Sequence, residues 1–198
     1  MKVGIFGNNM DRIPDIAFKL MSWMFVIRDR FMSPWSILDE FAIERGQTVV
    51  DYGCGPGSYL KRVSELVGPE GRVLAVDIHD LAIKAVKRRI DKEQLSNVIA
   101  VRADGGNSAL PDETADVVYA LDMFHMVREP EVFLRELNRL CKDKGLLYID
   151  NGHQSRETAR SKIRSSGAWE IVEETRRYLK CSPTKESAEQ RAGASIGM

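Results

Sequence analysis

Val49-Val50-Asp51-Tyr52-Gly53-Cys54-Gly55-Pro56-Gly57-Ser58 passes from a β-branched pair through an acid into three alternate glycines, and a helical pattern follows at once. Valines favour the half-buried pleat of a strand. Alternate glycines let the backbone take positive φ and approach a ligand with no Cβ in between. A strand, a glycine turn and a helix N-terminus in this order form the phosphate-binding corner of dinucleotide folds, but two residues here oppose a phosphate. Pro56 has no N–H to donate, and the Asp51 carboxylate would repel a pyrophosphate. The G-x-G-x-x-G pattern is also missing, which argues against a nicotinamide-dependent oxidoreductase. The same acid suits a ligand that carries positive charge.

Outward from this stretch the chain alternates. Thr48 to Tyr52, Arg72 to Asp77, Val98 to Ala103, Ala115 to Leu121 and Leu146 to Asp150 read as strands. Tyr59 to Val67, Leu81 to Asp91 and Glu131 to Leu140 read as helices among them. Strands joined through such helices need parallel crossovers, hence an α/β sheet with helices on both faces. Beyond Asp150 a polar helix, Ser155 to Ser166, precedes strands at Trp169 to Glu174 and Arg177 to Cys181. Their connection is too short for a helix and admits only an antiparallel hairpin. The expected fold is therefore α/β, with a seven-stranded, mostly parallel sheet and an antiparallel C-terminal hairpin. On the N-terminal side, Asp15 to Met32 is apolar almost all round a helix and must be covered by something. Ser33-Pro34 ends it, and a second short helix, Trp35 to Glu44, leads to the turn Arg45-Gly46-Gln47. One domain over residues 1–183 is expected, a helical cap at 1–45 and the core at 46–183. Residues 184–198 have too little apolar surface to offset ordering and are expected to form a disordered tail.

The 198 residues carry 29 Lys+Arg against 29 Asp+Glu, so no net positive field gathers phosphates. This balance argues against nucleic acid and for a small-molecule partner. Cys54, Cys141 and Cys181 are odd in number and lack C-x-x-C spacing, as in a reducing compartment, and the cytoplasm is expected. The apolar stretch Ala17 to Ile27 contains Lys19 and falls short of the ~20 residues of a membrane span. It lacks the basic leader and small-residue cleavage site of a secretory signal.

The spacing Asp51-x-Gly53-x-Gly55-x-Gly57 resembles the first motif of the S-adenosylmethionine (SAM)-dependent methyltransferases with a Rossmann-like fold. SAM has a sulfonium and an ammonium and no phosphate, which agrees with the cation reading of Asp51. Val73-Leu74-Ala75-Val76-Asp77-Ile78 ends the second strand in an acid, where a ribose diol is bound by a carboxylate. The alternative for Asp77 is the N-cap of the next helix, for which Asp80 is better placed. The resemblance implies that Asp104 accepts from the adenine amino group, although Asp104-Gly105-Gly106 also reads as a turn. It further implies that Ile78 packs on the adenine and that the backbone around Leu121 faces the methionine moiety. The cofactor-binding set expected is thus Asp51, Gly53, Cys54, Gly55, Gly57, Asp77, Ile78, Asp104, Gly105 and Leu121, with Cys54 wanted only for its small size. Glu131 to Leu140 and Lys144 to Asp150 are similar to segments of the small-molecule methyltransferases of the ubiquinone-biosynthesis-like group. The likeness is good from Gly46 to Asp150, fair to Cys181 and absent from the first ten or so residues.

Methyl transfer from a sulfonium is an in-line displacement that needs positioning first, and a base only where the nucleophile must lose a proton. His125 and His153 follow the fourth and fifth strands and are the catalytic candidates; the alternative is a solvated or turn-stabilising role. Together with Asp122 and Asp150 they have no recognisable metal-ligand spacing, and no metal is expected. The first helix, with Phe18, Met21, Trp23, Met24, Phe25, Phe31 and Met32, is expected to wall an apolar acceptor or to bury itself on the sheet or at a dimer interface. The chain lacks the Pro-Pro-aromatic segment of amino-group DNA methyltransferases, the Pro-Cys of the cytosine-C5 enzymes and the paired glutamates of the protein-arginine enzymes. The expected activity is methyl transfer from SAM to an O, N, S or C atom of a small molecule. A reading from another class is a SAM-binding regulatory or partner-binding protein without catalysis.

Overall fold

The computed structural model describes residues 14–104 and 107–184. Seven strands, β1 (Thr48–Tyr52), β2 (Arg72–Asp77), β3 (Val98–Arg102), β4 (Ala115–Ala120), β5 (Cys141–Ile149), β6 (Trp169–Glu174) and β7 (Leu179–Pro183), lie in the order β3-β2-β1-β4-β5-β7-β6. The first five are parallel, and β7 runs antiparallel between β5 and β6. Five α-helices, α1 (Asp15–Phe31), α2 (Leu60–Val67), α3 (Asp80–Glu93), α4 (Pro130–Leu140) and α5 (Arg156–Ser165), accompany them. This is the mostly parallel, Rossmann-like sheet with an antiparallel C-terminal hairpin that the alternation predicts.

The helices packed on the sheet each bury one apolar stripe. In α2 the buried residues are Leu60, Val63 and Val67, and Gly68 at φ 69° stops the helix. In α4, Pro130 starts the helix and Phe133, Leu134, Leu137 and Leu140 are buried. The sheet has a core on each side. Val50, Tyr52, Val118 and Ala120 face α4 and α5, whereas Val49, Val117 and Tyr119 face α2, α3 and the segment around Phe41. A strand's two-residue period makes this division automatic.

Four local expectations are corrected. The second short helix is a 3₁₀ segment, Pro34–Glu40, which the chain leaves early to stack Phe41 on Tyr148 at 4.0 Å. The fifth strand begins at Cys141 rather than Leu146. Cys141 pairs with Ala115 before the register shifts to Val117↔Leu146, and at Gly145 a Cβ would lie 2.8 Å from the Asp116 carbonyl oxygen. Such a bulge hides a strand inside a charged sequence that reads as a turn. The last strand starts at Leu179, two residues later than expected, because Thr175 and Tyr178 close the hairpin turn. The cap of α3 is His79, whose side chain accepts from the Leu81 N–H, and not Asp80. Residues 1–13 and 185–198, the start of the expected cap and all of the expected tail except Thr184, lie outside the described residues.

Leu147 is wholly buried in the central part of β5. Leu147→Ala should lower the unfolding free energy by about 2–5 kcal/mol, read in urea as a lower midpoint at unchanged m-value.

Candidate functional site

The strand order reverses between β1 and β4, so the connections leaving these strands part to opposite sides and open a crevice at their carboxyl ends. The glycine loop lies at that point. Gly53 and Gly57 take φ of 80° and 85°, and a Cβ on them would meet Met123 Cγ at 2.8 Å and Leu60 Cδ1 at 2.7 Å. Gly55, at φ 51°, faces nothing within 4 Å. Its N–H donates to Asp77 Oδ2 and the His79 N–H donates to Asp77 Oδ1, both at 2.8 Å. Asp77 therefore ties the loop after β1 to the loop after β2.

A cavity with an empty volume of about 1160 Å³, part of it open to solvent, fills the crevice. Its floor includes Gly53, Gly55, Asp77, Ile78 and Leu121. The opposite wall is α1. Phe18, Met21, Phe25 and Arg28 line the cavity at helical spacing, one face of that helix. Phe18 stacks on the buried His79 at 4.3 Å, and His79 Nε2 lies 3.6 Å from Asp15. At the other end, Arg28 Nη1 and the Tyr59 hydroxyl both donate to Asp122 Oδ2, at 2.7 and 2.9 Å. Thus α1 spans the mouth from the end of β2 to the end of β4. Asp122 holds an unfavourable φ of 63°, and its N–H donates to both oxygens of Asp150 at 3.1 Å. Such strain persists only where the surroundings fix it from several sides.

The electrostatics are acidic. Asp51 is 2% exposed, its Oδ2 has no hydrogen-bond partner among the described residues, and burial pushes its carboxyl up to about 8. The neighbouring charges of Asp77 and Asp122 push the same way, and the Tyr119 hydroxyl offsets only part of this. Burial pushes Asp150 up to about 6 and also raises Asp77 against its backbone donors, the N–H groups of His79, Gly55 and Ile78. The end of β1 and the loop after it hold buried atoms without a hydrogen-bond partner among the described residues: Asp51 Oδ2, the Tyr52 hydroxyl and Ser58 Oγ. Buried polar groups are almost always bonded, so this concentration marks a place for a ligand.

Of the residues expected from sequence, Gly53, Cys54, Gly55, Asp77, Ile78 and Leu121 line the cavity, and Asp51 and Gly57 support the loop from outside the lining. Cys54 is a buried thiol raised well above its usual range by burial. Asp104 is exposed, is not part of the cavity lining and bridges to Asn107, and Gly105 lies outside the described residues. His125 and His153 meet edge to face at 4.7 Å, and neither lines the cavity. Burial, with the charge of His153, pushes the His125 imidazole down. Sequence reasoning did not single out Arg28, Tyr59 or Met123, and it weighed Asp122 only as a metal ligand. The spacing of Phe18, Met21, Phe25 and Arg28 was the available signal for Arg28.

A crevice at the switch point of a Rossmann-like sheet, with Asp51 buried beneath its glycine loop, agrees with the SAM-dependent methyltransferase class that the sequence resembles. Residues 50–149 match the family model described as a methyltransferase domain, and the chain belongs to this SAM-dependent methyltransferase family. It is 32% identical over 113 residues to the ubiquinone/menaquinone biosynthesis C-methyltransferase UbiE of Citrobacter koseri and 31% identical over the same length to that of Salmonella arizonae. Each match covers 57% of this chain and 45% of the relative, so the chain matches less than half the length of these curated relatives. Among solved structures, a SAM-dependent methyltransferase from Aquifex aeolicus superposes with a TM-score of 0.75 at 24% identity, covering 87% of this chain and all of that one. A TehB-like SAM-dependent methyltransferase from Corynebacterium glutamicum gives 0.68 at 13% identity over 86% of this chain and all of the other. At these identities the structures show the shared fold.

Asp51 and Asp150 make stability depend on pH. Their folded values lie above the unfolded carboxyl value of about 3.9, so above that value the native state keeps protons that the unfolded chain has released. The stability they give is complete below the unfolded value and is lost as pH rises through about 6 and then about 8. Urea titrations of the ligand-free protein across this range should show a falling midpoint, and Asp51→Asn should flatten the upper part of the fall. An unchanged slope in Asp51→Asn would place the titration elsewhere.

Proposed function

We propose that this chain is a SAM-dependent methyltransferase of a small, largely apolar acceptor. The observation that carries the proposal is the buried Asp51 carboxylate, with no cation paired to it among the described residues, beneath a glycine loop that is open at Gly55. A phosphate ligand would meet Pro56 and three acids there; a sulfonium and an ammonium meet charge of the opposite sign. The residues present fit SAM. Asp77, at the end of β2, would hold the ribose diol, with Ile78 against the adenine and Leu121 beside the methionine moiety. Asp51 would answer the ammonium, through or across the loop that it supports. Gly53, Gly55 and Gly57 would shape the backbone around the ligand, and Cys54 would keep that turn narrow. Asp104 and Gly105 would extend the adenine end.

When bound, SAM supplies a methyl group on a cationic sulfur, so the protein's remaining task is to aim a nucleophile and keep water out. The apolar wall of Met21, Phe25, Met123, Val132 and Phe133 does the latter and selects the acceptor by burial. Tyr59 and Asp122 are the polar pair on that wall, and they orient the acceptor's nucleophilic atom. The tyrosine hydroxyl stays protonated, since burial and the Asp122 charge push it up; its one proton goes to Asp122, and its oxygen is left to accept from the acceptor's O–H or N–H. Asp122 is likewise a hydrogen-bond acceptor. Residues 46–183 act as the catalytic core and 1–45 as its cap. Three buried free cysteines support a cytoplasmic, reducing environment.

Calorimetric titration with S-adenosylhomocysteine is the test. Wild-type protein should bind saturably, and Asp77→Ala should weaken binding about tenfold or more, the loss expected for a charge-assisted hydrogen bond. Unaltered affinity in a folded Asp77→Ala protein would remove Asp77 from the ribose site.

A further inference from the structure

The helix that closes the cavity is apolar on two opposite faces. Phe18, Met21 and Phe25 look inward. On the outer side Ile16, Leu20, Trp23, Met24, Ile27 and Phe31 recur at helical spacing, and their exposure runs from 39% at Ile27 to 83% at Phe31. Most of the exposed large hydrophobic residues among those described fall on this helix and on Met32 just after it. A helix against solvent ordinarily turns its polar side outward, and a contiguous apolar patch of this extent marks a contact with something else.

The charges around the stripe say what that contact is. Lys19, one turn from both Ile16 and Trp23, and Arg30, one turn from Ile27, flank it and make no ion pair among the described residues. The acids of the helix are engaged elsewhere. Asp15 faces His79 at 3.6 Å and Asp29 pairs with Arg28 at 3.1 Å. The outer face therefore presents aromatic and aliphatic groups with a cationic edge.

We propose that α1 is an interfacial helix that docks the protein on an anionic lipid surface, with the Trp23–Phe31 stripe in the headgroup–acyl boundary and Lys19 and Arg30 against lipid phosphates. A helix in the plane of the interface with a basic flank and Trp, Phe and Leu on its apolar side has this chemistry. A second copy of the chain is the poorer occupant. A two-fold contact must be self-complementary, and pairing two such faces offers no unengaged acid to the four cations. No helix among the described residues is long and apolar enough to cross a membrane, so α1 lies on the surface. This inference does not depend on the proposed activity.

The test is co-sedimentation of the full 198-residue chain with phosphatidylcholine vesicles, with and without phosphatidylglycerol. Binding should require phosphatidylglycerol, fall with added salt, and drop about tenfold in the double variant Trp23→Glu, Phe31→Glu. Lys19→Glu with Arg30→Glu should remove the preference for the anionic lipid. Both pairs are exposed, so unaltered circular dichroism and thermal midpoint will show that the fold is kept. No binding to the phosphatidylglycerol vesicles, or binding that either double variant leaves undiminished, overturns the proposal. A dimer in light scattering that the same substitutions dissolve assigns the face to a second copy and overturns it as well.

Discussion

Asp51 takes a carboxylate into the middle of the sheet, where none of the chain's cations pairs with it among the described residues. Burying an ionised group without a partner is expensive, and a protein meets the difficulty by neutralising the group or by binding an opposite charge. Here both answers are available. Without a ligand the raised carboxyl value keeps a proton on Asp51 near neutrality. A cation bound beside it would favour the ionised form. The rest of the site is arranged around that choice: the glycine loop above Asp51, Asp77 holding that loop to the end of β2, and Asp122 closing the group from β4.

The N-terminal helix turns this acidic crevice into an enclosed one. It is fixed at its two ends by polar contacts, Asp15 with His79 and Arg28 with Asp122, and between them it offers only apolar side chains to the cavity. The Arg28 guanidinium also lies over the Phe25 ring at 4.4 Å, so its charge is held by an aromatic face as well as by a carboxylate. Enclosure of this kind excludes water and makes the few polar groups inside count for more. Because the helix contacts the cavity through one stripe only, its other face is free for a separate task.

The core of the fold was legible because its signals are local. Alternating periods of 2 and 3.6 residues gave the strands and helices, and the Asp51–Gly57 spacing located the crevice. The losses are of three physical kinds. Lys142, Asp143 and Lys144 lie in β5 beside a bulge, where a strand carries the composition of a turn. The inner contacts made by His79 and Arg28 depend on partners far along the chain, Phe18 for His79 and Asp122 for Arg28, which no local pattern reveals. The histidines after β4 and β5 were placed correctly by topology, but Gly152 packs against the His125 ring and the two imidazoles meet each other rather than the cavity. For α1 the sequence announced a helix in need of cover on all sides; only the packing shows which side the cavity takes.

The most direct measurement is the proton count of ligand binding, from calorimetry of S-adenosylhomocysteine at neutral pH in two buffers of different ionisation enthalpy. If the ligand's ammonium meets the Asp51 carboxylate, saturable binding will release a substantial fraction of one proton in the wild-type protein and close to none in Asp51→Asn, while NADH will not bind. Proton uptake on binding, an equal release in Asp51→Asn, or binding of NADH in place of the adenosyl ligand would contradict the assignment of this buried acid to a cation.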